Sequence, residues 1–165
     1  MLLPFAEAAG LVRTTHFDSE MAELADRHYS RRTVGARQFL YSGRKLVLRN
    51  TEGTVLFAWL FPDPAMRMDG QTGYNCAIFR NESDRKASEI ILEAERAVFA
   101  KWGPDRMYTY VDPNKTKPIF RRGQRVIGWT YLKAGWKPLV YKNGKPRISK
   151  AGQHLLVKLH RERAA

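Results

Sequence analysis

The sequence predicts an α+β fold with a mainly antiparallel central sheet flanked by helices. Two observations predict it. Segments with strand character follow one another with tight turns between them, and one long amphipathic helix divides them. The chain has 165 residues, of which 44% are hydrophobic, which is ordinary for one globular domain with its own core. We therefore predict a single domain over residues 1–165, with a basic C-terminal third.

The first half of the chain is predicted to hold one helix and four strands. Asp18 or Ser19 caps the helix, which runs to about Arg27 and carries Met21 and Leu24 on one face. The strands are predicted at 11–17, 45–50, 54–61 and 74–80, where β-branched and aromatic residues alternate between turn residues.

The second half opens with the clearest helix. Its apolar residues recur at spacings of three and four, at Ala87, Ile90, Ile91, Ala94, Val98 and Trp102. Ser83 or Asp84 is the predicted cap, and Gly103 ends the helix. A strand at 107–111, a short helix at 128–134 and two closing strands at 138–142 and 154–159 follow, with a turn at Asn143-Gly144 between the last two.

The charge of the chain is concentrated in its last third. The net charge is +13, and the stretch from Pro113 to Arg161 holds 13 basic residues and no Asp or Glu. Such a field attracts phosphate backbones. A basic surface that only aids solubility and an anionic membrane surface are the alternatives. The single cysteine, Cys76, excludes an internal disulfide and a cysteine-rich zinc site. We see neither a membrane span nor a signal peptide, and expect the cytoplasm.

Two segments carry residues suited to acid–base chemistry. His28-Tyr29-Ser30 follows the first helix, and an imidazole there suits a general base or a metal ligand. Asp112 ends the strand 107–111, at a strand terminus where sites commonly form. A packed structural histidine and an aspartate that opens a turn are the alternatives.

A third segment joins a strand to the start of the long helix, where free backbone N–H groups suit a phosphate. Arg80, Ser83, Arg85 and Lys86 are the candidate cofactor-binding residues, and Ser88 lies one turn further on. A plain helix cap is the alternative. Aromatic residues such as Trp129 and Trp136 lie among the cations of the last third, as in proteins that stack on bases, or else belong to the core.

These segments, followed by Lys133-Ala134-Gly135-Trp136, resemble in their order the phage Mom-type DNA modification proteins, which are GNAT-like acyltransferases. The resemblance runs from about His28 to Trp136. It implies a GNAT-like fold and transfer of an acyl-type group to the exocyclic N6 amine of adenine in phage DNA, in the infected bacterial host, as protection from restriction. The positions that match the family's functional residues are His28, Tyr29, Ser88 and Asp112. The family has a tyrosine in the short final helix, at the position where this chain has Trp129. A step that needs a phenol would then depend on Tyr131.

The resemblance also implies an acyl donor, for which an acyl-coenzyme A is the candidate. Ser83 and Arg85 stand where the family's phosphate loop has glycines, so the donor stays open. No metal site is predicted outright; divalent iron would use His28, Tyr29 and Asp112. The partner is double-stranded DNA with a flipped base, bound by a monomer or a homodimer. The predicted DNA contacts are Arg31, Arg32, Lys115, Lys117, Arg121, Arg122, Arg125, Trp129, Lys142, Lys145 and Arg147.

Two other functions remain open at this point. One is an acyl-coenzyme A-dependent N-acyltransferase that acts on RNA, a modified base or a protein. The other is a DNA-binding accessory protein without catalytic activity. A measurement of coenzyme A binding tests the first function. The second function predicts that the protein binds DNA and changes the mass of no nucleoside.

Overall fold

The structure is a computed structural model that describes residues 10–28, 31, 33–67 and 69–160. It has an α+β fold, in which the described residues form nine strands and three helices. The strands are β1 Leu11–Thr14, β2 Gly43–Asn50, β3 Val55–Pro62, β4 Tyr74–Asn81, β5 Met107–Val111, β6 Ile119–Arg121, β7 Gln124–Val126, β8 Lys137–Pro138 and β9 His154–Lys158. The helices are α1 Ser19–Asp26, α2 Ala87–Trp102 and α3 Trp129–Lys133, and a 3-10 turn covers Pro64–Met66.

Seven strands form one sheet in the order β1-β2-β3-β4-β5-β9-β8, and β6 and β7 form a separate hairpin. Every neighbouring pair is antiparallel except β4 and β5, which run parallel. The main core lies between the sheet and α2 and α3, and includes Trp59, Ile91 and Trp136. A smaller core packs α1 on the opposite face, through Met21 and Leu24. The predicted class, with a mainly antiparallel sheet, is confirmed.

The sheet opens between its two parallel strands. β4 and β5 pair only at Tyr74 with Met107 and Asn75 with Tyr108. The Thr109 hydroxyl then donates to the Cys76 carbonyl at 2.9 Å, and no ladder continues beyond that point. On its other side β4 shifts register against β3 near Ala58 and Trp59, which is the mark of a β-bulge. The carboxyl ends of β4 and β5 therefore diverge, which leaves room for a site between them.

Local chemistry explains the ends of the helices, with one departure. The Asp18 carboxylate caps α1 by accepting from the N–H groups of Glu20 and Met21. Gly103, at φ 91°, ends α2. The predicted cap of α2 at Ser83 or Asp84 is wrong, because α2 begins at Ala87 after Lys86 and no side chain caps it.

The prediction also missed the hairpin of β6 and β7, which it treated as a basic loop. In the last third the Asn143-Gly144 turn is confirmed, since the Gly144 N–H donates to the Tyr141 carbonyl at 2.9 Å. No helix among the described residues is long and apolar enough to cross a membrane.

Candidate functional site

A cleft of about 420 Å³ lies where β4 and β5 diverge. It is bounded by the ends of these strands, by the loop after β5, by the β6–β7 hairpin and by the start of α3. No carboxylate is among the described residues that line it. We call it the cationic cleft, and its polar or charged lining residues are His28, Arg80, Asn81, Lys115, Thr116, Lys117, Arg125, Thr130 and Tyr131.

Four cations give the cleft its charge. Arg80 is held at the end of β4, where its Nε donates to Glu82 at 2.9 Å and its Nη1 donates to the Arg27 carbonyl at 3.3 Å. Arg125 donates to the Pro113 carbonyl, which ties the β6–β7 hairpin to the loop after β5. Lys115 and Lys117 are exposed, and no ion pair is found for either within the described part of the chain. The cleft is therefore suited to an anion that carries several negative charges.

His28 is the only histidine that lines the cationic cleft within the described residues. It follows α1, where its backbone N–H donates to the Ala25 carbonyl at 2.9 Å. Burial and, to a smaller extent, the nearby charge of Arg80 together lower the pKa of the imidazole to about 4. At neutral pH His28 is therefore uncharged, which is the state that a proton acceptor needs before it acts.

Aromatic side chains form one wall of the cleft. Trp129 lies at the start of α3, with the guanidinium of Arg121 4.4 Å from its ring centroid. Tyr131 is buried with 9% exposure, and its hydroxyl lies 3.3 Å from the Cys76 sulfur. Burial raises the pKa of the Cys76 thiol to about 12, so that group is neutral. Trp136, in contrast, is 2% exposed and belongs to the core.

The four predicted catalytic positions do not gather in the described structure. His28 lines the cleft, whereas Tyr29 lies outside the described residues. Asp112 follows Val111, which lines the cleft, but its carboxylate accepts from the Asn114 N–H at 2.9 Å and opens a turn. Ser88 is half-buried near the start of α2 and is not among the residues that line the cleft.

Only one of the predicted cofactor-binding residues lines the cleft, namely Arg80. The Ser83 hydroxyl donates to the Asn81 side chain at 2.6 Å. Arg85 pairs with Glu93, so its guanidinium is already neutralised by a carboxylate of α2. Lys86 is exposed and precedes the helix. Ser83 and Arg85 thus interact with other side chains of the protein and, like Lys86, do not line the cleft, so their assignment to a phosphate stays a prediction.

The predicted DNA contacts fall into three groups. The predicted DNA contact at Arg31 is wrong, because its side chain is 4% exposed and donates hydrogen bonds to Asp26 and to the carbonyls of Ala36 and Gln38. It therefore holds the loop after α1. Arg32 lies outside the described residues. The exposed cations divide between the rim of the cationic cleft and the hairpin around Asn143-Gly144, which carries Lys142, Lys145 and Arg147.

The sequence did not indicate a second cavity, of about 530 Å³, on the face of the sheet that carries α1. Three carboxamide side chains line it, from Gln38, Asn75 and Gln153, so we call it the amide pocket. Its aromatic lining residues are Phe39 and Tyr41. These residues come from three distant parts of the chain, and no local spacing connects them.

Within the described residues, no group of three or more His, Cys, Asp or Glu side chains could hold a metal ion. Tyr29, one of the three ligands considered for iron, is not among them. No protein-family model, no curated protein and no solved structure matches this chain.

Proposed function

We propose that this protein is a GNAT-like transferase that modifies the exocyclic N6 amine of adenine in double-stranded DNA. One observation carries the proposal: four cations and a neutral imidazole meet in a cleft whose described lining has no carboxylate. The cations suit a phosphate-bearing donor, and the imidazole suits a proton acceptor. The exposed, unpaired cations elsewhere in the last third suit a nucleic acid.

The strand order supports the finer part of the fold assignment. The order of the elements and the mainly antiparallel sheet are those that the resemblance to GNAT-type acyltransferases implies, and the one parallel pair diverges at its carboxyl ends. The cleft lies at that divergence, and α3 brings Tyr131 beside it.

The low reactivity of the adenine N6 amine determines which groups the site has to provide. The lone pair of this amine is delocalised into the ring, so the amine is a weak nucleophile, and the transition state needs charge stabilisation and a proton acceptor. His28 is the acceptor in this proposal. An anion bound beside Arg80 offsets the charge that depresses the His28 pKa, and therefore makes the imidazole a stronger base when the cleft is filled.

The donor fits the cleft through its phosphates. Arg80, Lys115, Lys117 and Arg125 are the residues that would hold them, in place of the loop after β4. An acyl thioester supplies an activated acyl carbon when it is bound. The Tyr131 phenol lines the cleft and supplies the hydroxyl that the family has in its final helix. Trp129 and Phe79 give the donor an apolar wall.

Co-expression with a plasmid, followed by digestion to nucleosides and mass spectrometry, tests the proposal. We expect a new adenosine-derived nucleoside with the wild-type protein, and none with His28→Asn or with Lys115→Gln/Lys117→Gln. The matched control Arg13→Gln/Arg96→Gln loses the same charge at exposed positions outside the cleft and keeps activity.

Three results would contradict parts of this proposal. A new nucleoside derived from another base overturns adenine as the target and keeps the transferase. Salt-sensitive DNA binding without a new nucleoside indicates an accessory protein and overturns the enzyme. Calorimetry with coenzyme A tests the donor, since an absence of binding to the wild-type protein overturns the phosphate assignment of the cleft.

A further inference from the structure

The amide pocket has the chemistry of a site for an uncharged polar ring. Its lining combines the carboxamides of Gln38, Asn75 and Gln153 with aromatic and aliphatic side chains. Arg31 is the one charged residue among the described lining, and its guanidinium is occupied by Asp26 and by two carbonyl groups. A neutral ring with hydrogen-bond donors and acceptors on its edge could pair with these carboxamides. A phosphate, in contrast, would find no available cation among the described lining residues.

Asn75 is the residue that points to a ligand. Its side-chain oxygen is buried and has no hydrogen-bond partner among the described residues. A buried acceptor without a partner destabilises the protein, and native structures keep few of them. Asn75 also lines the pocket, so a ligand with an amine hydrogen that reaches this oxygen would satisfy it.

The neighbouring surface carries the exposed cations Arg147 and Lys150, together with Asp69, whose carboxylate accepts from the Tyr110 hydroxyl at 2.8 Å. The segment 148–155 contributes Ala151 and Gln153 to the amide pocket and Ser149 and Lys150 to the adjoining depression, which Arg147 and Tyr141 also line. The Arg147 guanidinium lies 5.0 Å from the Tyr141 ring centroid. A neutral pocket beside two exposed cations matches a nucleotide, whose base is neutral and whose phosphates are charged.

β4 separates this pocket from the cationic cleft. Ala77 and Ile78 line the amide pocket and pack with the core beneath α1, whereas Phe79 lines the cleft and packs with the core beneath α2. The ladder between β4 and β5 ends at Asn75, so the sheet is open beside these residues. The two cavities thus lie on opposite faces of the sheet, at its opening.

We propose that the amide pocket binds one extruded nucleobase with an exocyclic amine, while Arg147 and Lys150 hold the flanking phosphates. The inference rests on the proposed function: the base lies on the α1 face, and its amine reaches the donor and His28 in the cationic cleft through the opening between β4 and β5. A carboxamide pairs with adenine at N6 and N7 in a bidentate manner, and the ring of Tyr41, 43% exposed, offers a surface for stacking. The pocket of about 530 Å³ accepts a base that has left its stack.

The test uses two single strands of nine units with identical charge. One consists of tetrahydrofuran abasic units throughout, and the other carries a single adenine at its centre. Fluorescence anisotropy measures the Kd of each for the full-length protein. We expect the adenine strand to bind the wild-type protein about tenfold more tightly. Asn75→Ala and Tyr41→Ala each reduce that ratio toward one and leave the Kd of the abasic strand unchanged. Arg147→Ala weakens both strands by the same factor.

The outcomes separate this inference from the proposed function. Equal binding of both strands by the wild-type protein overturns the base pocket, while a modified nucleoside in the plasmid assay still stands. The base pocket is also overturned if Lys115→Gln/Lys117→Gln loses the adenine preference while Asn75→Ala keeps it. That result would mean that the base lies in the cationic cleft. If neither strand nor duplex DNA binds, the DNA target of the proposed function fails as well. Tyr41→Ala keeps the test valid if Asn75→Ala does not fold, since Tyr41 is exposed.

Discussion

Residues 10–112 and residues 113–160 use their cations in different ways. In the first region five arginines pair with carboxylates, whereas Arg13 and Arg96 are exposed and have no carboxylate partner among the described residues. In the second region Lys158 is the one described cation with a carboxylate partner, and that partner, Glu95, comes from α2. Clustered cations without a counter-charge, rather than total charge, therefore mark the candidate binding surface. The pairs of the first region are Arg27–Glu82, Arg31–Asp26, Arg49–Asp18, Arg49–Glu20, Arg80–Glu82 and Arg85–Glu93.

The largest expected effect comes from removal of unpaired cations of the second region. We expect Lys142→Gln/Lys145→Gln/Arg147→Gln to weaken duplex DNA binding roughly 100-fold at low salt, and to reduce the slope of log K against log salt by about three. Anisotropy titrations at several salt concentrations measure both. The control Arg13→Gln/Arg96→Gln/Lys101→Gln removes the same charge from exposed positions of the first region. Equal losses in the two variants would mean that only net charge matters.

Lys158 is the exception in the second region, and its loss should cost stability. Its Nζ lies 2.7 Å from Glu95, which is 5% exposed. Burial raises the pKa of Glu95, and Lys158 opposes that shift. We expect Lys158→Ala to lower the free energy of unfolding by about 2 kcal/mol, because it leaves a carboxylate buried without its partner. Urea unfolding at pH 7 measures the change. The double variant Glu95→Gln/Lys158→Met should recover part of it, and a further loss would contradict this account.

A smaller effect depends on pH and on His28. The His28 pKa is about 4 in the folded protein, against 6.5 ordinarily, so between those values the unfolded chain binds more protons. The free energy of unfolding therefore falls as pH drops through this window, by about 1.8 kcal/mol from pH 7 to pH 5. Burial also lowers the pKa of His16 and His154, so only the difference from His28→Asn reports His28. An NMR titration that places its pKa near 6.5 would contradict the assignment.

The smallest effect should come from removing a counter-charge from the first region, so that its arginines lack a carboxylate partner as most cations of the second region do. Glu82 pairs with both Arg27 and Arg80, at 2.8 and 2.9 Å. We expect Glu82→Gln to leave Arg80 uncompensated, and thus to tighten coenzyme A binding in the cationic cleft about threefold. Calorimetry measures it. The same change should lower the His28 pKa further, since the charge of Arg80 is then less balanced. Weaker binding would show that Glu82 positions Arg80 more than it neutralises it.

Much of the fold could be predicted because its determinants are local. The Asp18 cap, the apolar spacing of α2 and Gly103 each act within one or two turns of chain. The β6–β7 hairpin escaped prediction because its strands are mostly exposed and lack an apolar face. A strand that buries so few side chains shows no alternation of apolar and polar residues from which it could be predicted.

The site was harder to predict, since its residues meet across long separations. His28 and the cations after β5 line one cleft although they are far apart in the sequence, and their assignment to one functional site stays a proposal. The partner of Arg85 lies eight positions away on α2, and that of Arg31 five positions before it, and both partners are carboxylates. The amide pocket joins Gln38, Asn75 and Gln153, which no motif connects.

Gly128 has a consequence for the size of the ligand that the cationic cleft accepts. It has φ 73°, and a Cβ there would lie 2.3 Å from Leu156 Cδ1, so α3 starts in direct contact with β9 of the central sheet. The aromatic wall of Trp129 and Tyr131 therefore sits on a rigid base. The opposite wall is the exposed β6–β7 hairpin, which belongs to no larger sheet. Under the proposed function, selectivity among short and long transferred groups should accordingly vary with the length and sequence of that hairpin.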